Sequence, residues 1–125
     1  MRLLLDTHVL LWALQDHARI RKIRKRLLDP DHEVFFSVAS LWEIAIKQAI
    51  GKIDADPEEV RDTAREDGFV ELPILGAHVL AVSELPPIHR DPFDRLLVAQ
   101  AISEPMHLLT GDQLLAGYGE LVEVI

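Results

Sequence analysis

No cysteine occurs in the 125 residues, so neither a disulfide framework nor a thiolate metal site is available, and a reducing cytoplasm is the natural setting. No apolar run reaches the ~18 residues a membrane span needs. The apolar N-terminus, MRLLLDTHVLLWAL, carries Asp6 and His8 within it and lacks a small-residue cleavage site, so it does not read as a signal peptide. No Asn-Gly pair marks a hairpin, and no linker, internal repeat or low-complexity segment interrupts the chain. Positive charge is scarce: 13 Lys and Arg stand against 21 Asp and Glu, a net charge of −8, which argues against a general phosphate-binding surface. The expectation is one soluble domain over residues 1–125, large enough to bury a core.

What is present alternates. Leu3 to Leu5, Glu33 to Phe36, Phe69 to Leu72, Met106 to Leu109 and Leu121 to Ile125 read as short strands. Between them lie helical patterns. One runs through Leu10, Leu11 and Leu14 into a basic helix ending at Leu28; Asp29-Pro30-Asp31 then turns the chain. Ser37 opens a helix that Gly51 stops, and Asp56-Pro57-Glu58-Glu59 has the cap, proline and first-turn acids of another helix reaching about Asp67. A short helix covers Ala77 to Leu85, Asp91-Pro92 starts a strongly apolar one, and Asp112 starts a last short one. Strands and helices in alternation imply an α/β fold with a mostly parallel sheet of about five strands and helices on both faces.

Four acids, Asp6, Glu43, Asp94 and Asp112, each follow a predicted strand or stand in the first turns of a helix. In an open parallel sheet those positions converge on the carboxyl edge, where ligands bind. Such a gathering of like charge is tolerable if a cation occupies it. Each acid alone has a structural reading: Asp6 and Asp112 as helix caps, Ser40-x-x-Glu43 as a capping box, Asp94 as a first-turn acid favoured by the helix dipole behind an Asp91 cap.

Six of the 13 basic residues fall in ARIRKIRKRLL: Arg19, Arg21, Lys22, Arg24, Lys25 and Arg26. This segment reads either as a solvated amphipathic helix with Ile20, Ile23 and Leu27 inward or as a track for nucleic-acid phosphates.

The stretches LLLDTHVLLWAL, SVASLWEIAIK, HRDPFDRLLVAQA and LLTGD, in that order and spacing, resemble a PIN domain, and more closely a VapC-type toxin ribonuclease of a toxin–antitoxin pair. Residues 51–76 carry less of the likeness. The resemblance implies a metal-dependent endoribonuclease whose acids fall on Asp6, Glu43, Asp94 and Asp112, leaving fragments with a 5′-phosphate and a 3′-hydroxyl. It also implies a homodimer and a small antitoxin that wraps the protein and blocks its active site. Transfer RNA is among the family's substrates, but no loop here encodes a target.

The chemistry of the residues agrees. Mg²⁺ and Mn²⁺ prefer carboxylate and water oxygens and are held by few protein carboxylates. They can activate a water and offset charge on phosphorus oxygens during in-line displacement. Thr7, Ser40 and Thr110 can orient carboxylates or cap helices, and Arg95 can meet a phosphate or neutralise Asp94. His8, His89 and His107 lack the spacing of a zinc site. Trp12 and Trp42 read as core or as a groove for a partner helix, together with Leu10, Leu11 and Ile46.

Three other readings compete. A receiver-like, Mg²⁺-binding phosphoacceptor wants adjacent acids after the first strand and a lysine after the last, but Asp6-Thr7 and a C-terminal region without basic residues stand here; a dehalogenase-type phosphatase wants Asp-x-Asp, and His8 takes the second place. A catalytically inactive binding module would tolerate loss of the acid set, which is intact.

Overall fold

The apolar run behind Met1 becomes the middle strand of a sheet. The computed structural model describes residues 1–125, with β1 at Arg2–Leu5, β2 at Glu33–Ser37, β3 at Val70–Leu72, β4 at His107–Thr110 and β5 at Val122–Val124. The order across the sheet is β3-β2-β1-β4-β5, and every neighbouring pair is parallel. The α/β fold read from the sequence is therefore present, with a wholly parallel sheet.

A parallel sheet must be covered on both faces, and strand periodicity shows how. Leu3 and Leu5 join one core with Val34 and Phe36; Leu4, between them, joins the other with Phe35 and Leu108. On the first face pack α1 (Thr7–Leu14), α3 (Val38–Ala49) and α4 (Pro57–Glu66), through Val9, Leu10, Ile44, Val60 and Ala64. On the second lies α6 (Pro92–Ser103), through Leu96, Leu97, Val98 and Ala101, with α5 (Gly76–Val82) packed against it. Burial of each such aliphatic side chain contributes roughly 1.5–3 kcal/mol. Local chemistry sets the helix starts: side chains of Asp6, Ser37, Asp56 and Asp91 each accept a backbone N–H in the first turn. Gly51, at φ 73°, follows the last turn of α3 in the left-handed conformation that ends helices cheaply.

The basic segment departs from the expected single helix. Asp16 adopts φ 53°, a 3₁₀ turn occupies Ala18–Ile20, and only α2 (Arg24–Leu28) is α-helical. Its apolar residues were still read correctly, because Ile20 and Ile23, three apart, are both buried and Leu27 packs on the same core. Three-residue spacing aligns side chains in a 3₁₀ geometry as it does in a helix. The expected apolar groove is also smaller than anticipated. Leu10 and Leu11 belong to the core and Trp12 packs against it, whereas Trp42, Ile46 and Ile50 stand exposed along α3.

Strand order reverses between β1 and β4, the place where open α/β sheets bind ligands beyond their carboxyl ends. A receiver domain has the order 2-1-3-4-5 instead, so this topology removes the receiver-like alternative. No helix is long and apolar enough to cross a membrane.

Candidate metal centre

Four sequence-distant acids meet in one cleft of about 370 Å³ at this switch point. Asp6, Glu43, Asp94 and Asp112 all line it, together with Asp91, His8, Trp12, Lys47, Gly111 and Gln113. Asp6 follows β1 directly and Asp112 follows β4 by two residues, while α3 and α6 begin at the same edge and carry Glu43 and Asp94 in their early turns.

Asp6 is only 5% exposed. Val9 N–H donates to its Oδ1 at 2.8 Å and the Thr110 hydroxyl donates to its Oδ2. Burial dominates these bonds and raises the Asp6 carboxyl above its ordinary value. Glu43, 3% exposed, accepts from Thr7 Oγ1 at 2.6 Å on one oxygen and from Lys47 on the other. Thr7 Oγ1 also lies 3.0 Å from Ser40 Oγ. Thr7 and Thr110 thus donate to carboxylates, of Glu43 and Asp6, while Ser40 touches Thr7 and no carboxylate. The capping-box reading of Ser40 and Glu43 fails, since Ser37 is the cap and Glu43 points into the cleft from the second turn.

Asp94 differs from its neighbours. No hydrogen bond reaches its carboxylate, and its nearest cationic candidate is His89 Nε2 at 3.5 Å. Burial, with Asp91, Asp6 and Glu43 close by, pushes the Asp94 carboxyl up to about 7. Asp112 goes the other way. Partial burial disfavours its charge, but the Leu114 N–H and His89 bonds outweigh that and hold it below the ordinary range.

Asp91 caps α6, accepting from Phe93 N at 2.8 Å and Asp94 N at 3.1 Å on one oxygen, and it also lines the cleft. A cap role makes a separable forecast. Asp91→Asn should keep most of the stability and activity, because Asn caps as well as Asp, and Asp91→Ala should lose ~1 kcal/mol. Urea midpoints and activities of both variants check this. Equal loss of activity in Asp91→Asn and Asp94→Asn would place Asp91 among the essential acids.

Arg95 does not serve the site. Its guanidinium turns away and donates to the carbonyls of Val82, Pro86 and His89 and to the Tyr118 hydroxyl, where it fixes the loop before α6. Two residues that contact the acids were not recognised from sequence, Lys47 in the cleft and His89 beside it. Lys47 lies four residues after Glu43, a spacing that brings helix side chains together, and the Glu43 hydrogen bond holds its ammonium above the ordinary value, aided by Asp91 and Asp94. His89 Nε2 lies 2.8 Å from Asp112 Oδ2. Gly111 has a steric role: a Cβ there would stand 2.7 Å from the Trp12 ring, which itself lies under the Arg19 guanidinium at 4.4 Å. Trp12 is therefore a cleft-wall residue rather than pure core.

The donor set suits a hard divalent cation. The four acids bring oxygen ligands only; neighbouring donors fix the orientations of Asp6, Glu43 and Asp112, and the repulsion among the four falls on Asp94, the one carboxylate left without a partner.

Fold and cleft define a small doubly wound α/β domain with an acid-lined site at its switch point. A family model described as PIN domain matches residues 3–121, and the chain belongs to that family. A search of curated proteins found no match. Among solved structures, the chain is similar to VapBC2 from Rickettsia felis bound to a DNA fragment from their promoter, with TM-score 0.71, 16% identity, and coverage of 99% of this chain and 98% of that one. It is also similar to VapBC-1 from nontypeable Haemophilus influenzae, with TM-score 0.65, 19% identity and coverage of 99% and 98%. At such identities the likeness is one of fold.

Proposed function

We propose that this chain is a divalent-metal-dependent endoribonuclease acting in the cytoplasm as the toxin of a toxin–antitoxin pair. The convergence of Asp6, Glu43, Asp94 and Asp112 in one cleft, with Asp94 unpartnered, is the observation that carries the reading. In it these four side chains hold Mg²⁺ or Mn²⁺. When bound, the ion supplies a more acidic water and positive charge beside the phosphorus oxygens. Thr110 and the Val9 N–H keep Asp6 in place, and Thr7 and Lys47 keep Glu43 in place. Burial of Asp6 and Glu43 strengthens their pull on a cation by thinning the competing water. The test is incubation of partner-free protein with end-labelled RNA and Mg²⁺. Internal cuts leaving 5′-phosphate and 3′-hydroxyl ends support the reading; no cutting of any cellular RNA, with the metal bound, favours the inactive binding module.

A protein partner belongs to the same reading. Exposed Trp42 and Ile46 on α3 and Ile50 at its C-cap, at four-residue spacing, form an apolar stripe beside the cleft that an amphipathic antitoxin helix or a second copy of the chain would cover. The solved neighbours are VapBC structures, in line with an antitoxin partner.

The basic segment tests how RNA is held. Arg24 is paired with Asp16 and Arg26 with Glu123, while Arg19 reaches the cleft wall over Trp12. Changing Arg21, Lys22, Arg24 and Lys25 to Gln should leave stability nearly unchanged, since Ile20, Ile23 and Leu27 do the packing. If this face tracks phosphates, RNA affinity should fall and its log–log salt slope should flatten by up to ~0.7 per lost contact. Affinities across a salt series in an Asp94→Asn background with Ca²⁺ measure it; an unchanged slope returns the segment to a solvated face.

A further inference from the structure

The ring of His89 stands among candidate ligand atoms, within 4.8 Å of carboxylate oxygens of Asp94 and Asp112, a grouping that by distance alone would make it a third ligand. Its hydrogen bonds say otherwise. Asp91 N–H donates to His89 Nδ1 at 3.0 Å, so that nitrogen offers a lone pair and carries no proton. The neutral ring must then hold its proton on Nε2, where it points at Asp112 Oδ2 at 2.8 Å. A nitrogen that bears a proton has no lone pair for a metal. The backbone that carries the ring is held from behind: the His89 backbone N–H donates to the Tyr118 hydroxyl at 2.9 Å, and Arg95 donates to that same hydroxyl and to the Val82 and Pro86 carbonyls of the loop.

We propose that His89 is a positioning residue and not a ligand: locked as the Nε2–H tautomer by the Asp91 backbone, it fixes Asp112 for cation binding and leaves the site all-oxygen. Asp112 needs such help. Its side chain is 39% exposed, the most open of the acids that His89 faces, and apart from His89 only the Leu114 N–H restrains its carboxylate. Arg95 acts one step further out, as the clamp on the loop that carries the ring. The inference rests on the metal-centre reading above and refines it, since an oxygen-only set selects Mg²⁺ or Mn²⁺ over the nitrogen-favouring Zn²⁺.

The experiment has an arm that needs no metal and one that does. In ¹⁵N-histidine NMR spectra of the metal-free protein, the His89 ring should show a protonated Nε2 and a bare Nδ1; the opposite tautomer overturns the proposal. With Mn²⁺ as the probe, pulsed EPR of the wild-type complex should show no directly coordinated nitrogen, and a histidine ¹⁴N coupling removed by His89→Ala overturns it. Among variants, Gln places an amide N–H near the former Nε2, whereas Asn keeps an acceptor for Asp91 N–H but cannot reach Asp112. His89→Asn and His89→Ala should therefore weaken Mn²⁺ binding ~10-fold or more, the usual cost of removing a partner of a ligand, while His89→Gln should stay within about threefold of wild type by the same reasoning. Gln binding as weakly as Ala contradicts the donor role. Thermal unfolding of each variant separates lost binding from lost fold, and the two wild-type readouts decide even where a variant does not fold. If wild type binds no Mn²⁺ at all, the metal-centre reading fails, and the tautomer measurement still judges the hydrogen-bond assignment.

Discussion

Asp94→Asn is expected to lower RNA cleavage at least ~100-fold, a loss in the range of removing one group that organises transition-state charge. The substitution is nearly isosteric and breaks no hydrogen bond, because the Asp94 carboxylate accepts none. Its position in the first turn of α6 stays capped by Asp91. Lost activity would therefore report lost charge in the cleft and not a disturbed helix. Single-turnover rates at saturating Mg²⁺ measure it, with Asp91→Asn as the matched control. An undiminished rate removes Asp94 from the site.

The same substitution should make the metal-free protein more stable. The Asp94 carboxyl sits at about 7 in the fold against 3.8 for the free side chain. Between those values the native state binds more protons than the unfolded chain, so stability falls as pH rises from about 4 to 7 and the full penalty applies above. Asn carries no such penalty. Solvent at this partly exposed site screens the effect, and a gain of roughly 1–3 kcal/mol at pH 8 is expected, shrinking toward zero at pH 4. Saturating Mg²⁺ should reverse the ranking, since a ligand that binds only the native wild type stabilises it by mass action. Urea midpoints at both pH values, with and without Mg²⁺, read this out; a mutant less stable than wild type at pH 8 without metal contradicts it.

Much of this was legible in the sequence because its causes are local. Asp56-Pro57 and Asp91-Pro92 announce helix starts through chemistry confined to one turn, and Leu3-Leu4-Leu5 reads as a two-faced strand from its own apolar run. The convergence of the four acids in one cleft was legible because strand ends and helix starts share an edge in a parallel sheet. What escaped depends on partners far along the chain. Arg95 looked like a cation for Asp94, yet Val82, Pro86 and Tyr118 claim it, and nothing next to it in sequence says so. His89 lacks metal-site spacing, and its key bond is a short-range one, to the N–H two residues on. His17 makes the same bond with Arg19. The basic run hid its break at Asp16, since a 3₁₀ turn preserves the three-residue apolar spacing that a helix would show.

The central claim is that these carboxylates act through a divalent cation. It is tested most directly by stripping the partner-free protein of metal and following RNA cleavage while Mn²⁺ is added back. Cleavage should be absent in excess EDTA, return saturably with Mn²⁺, and need more Mn²⁺ at pH 6 than at pH 8, because the ion then competes with the Asp94 proton. Full cleavage in excess EDTA would contradict it.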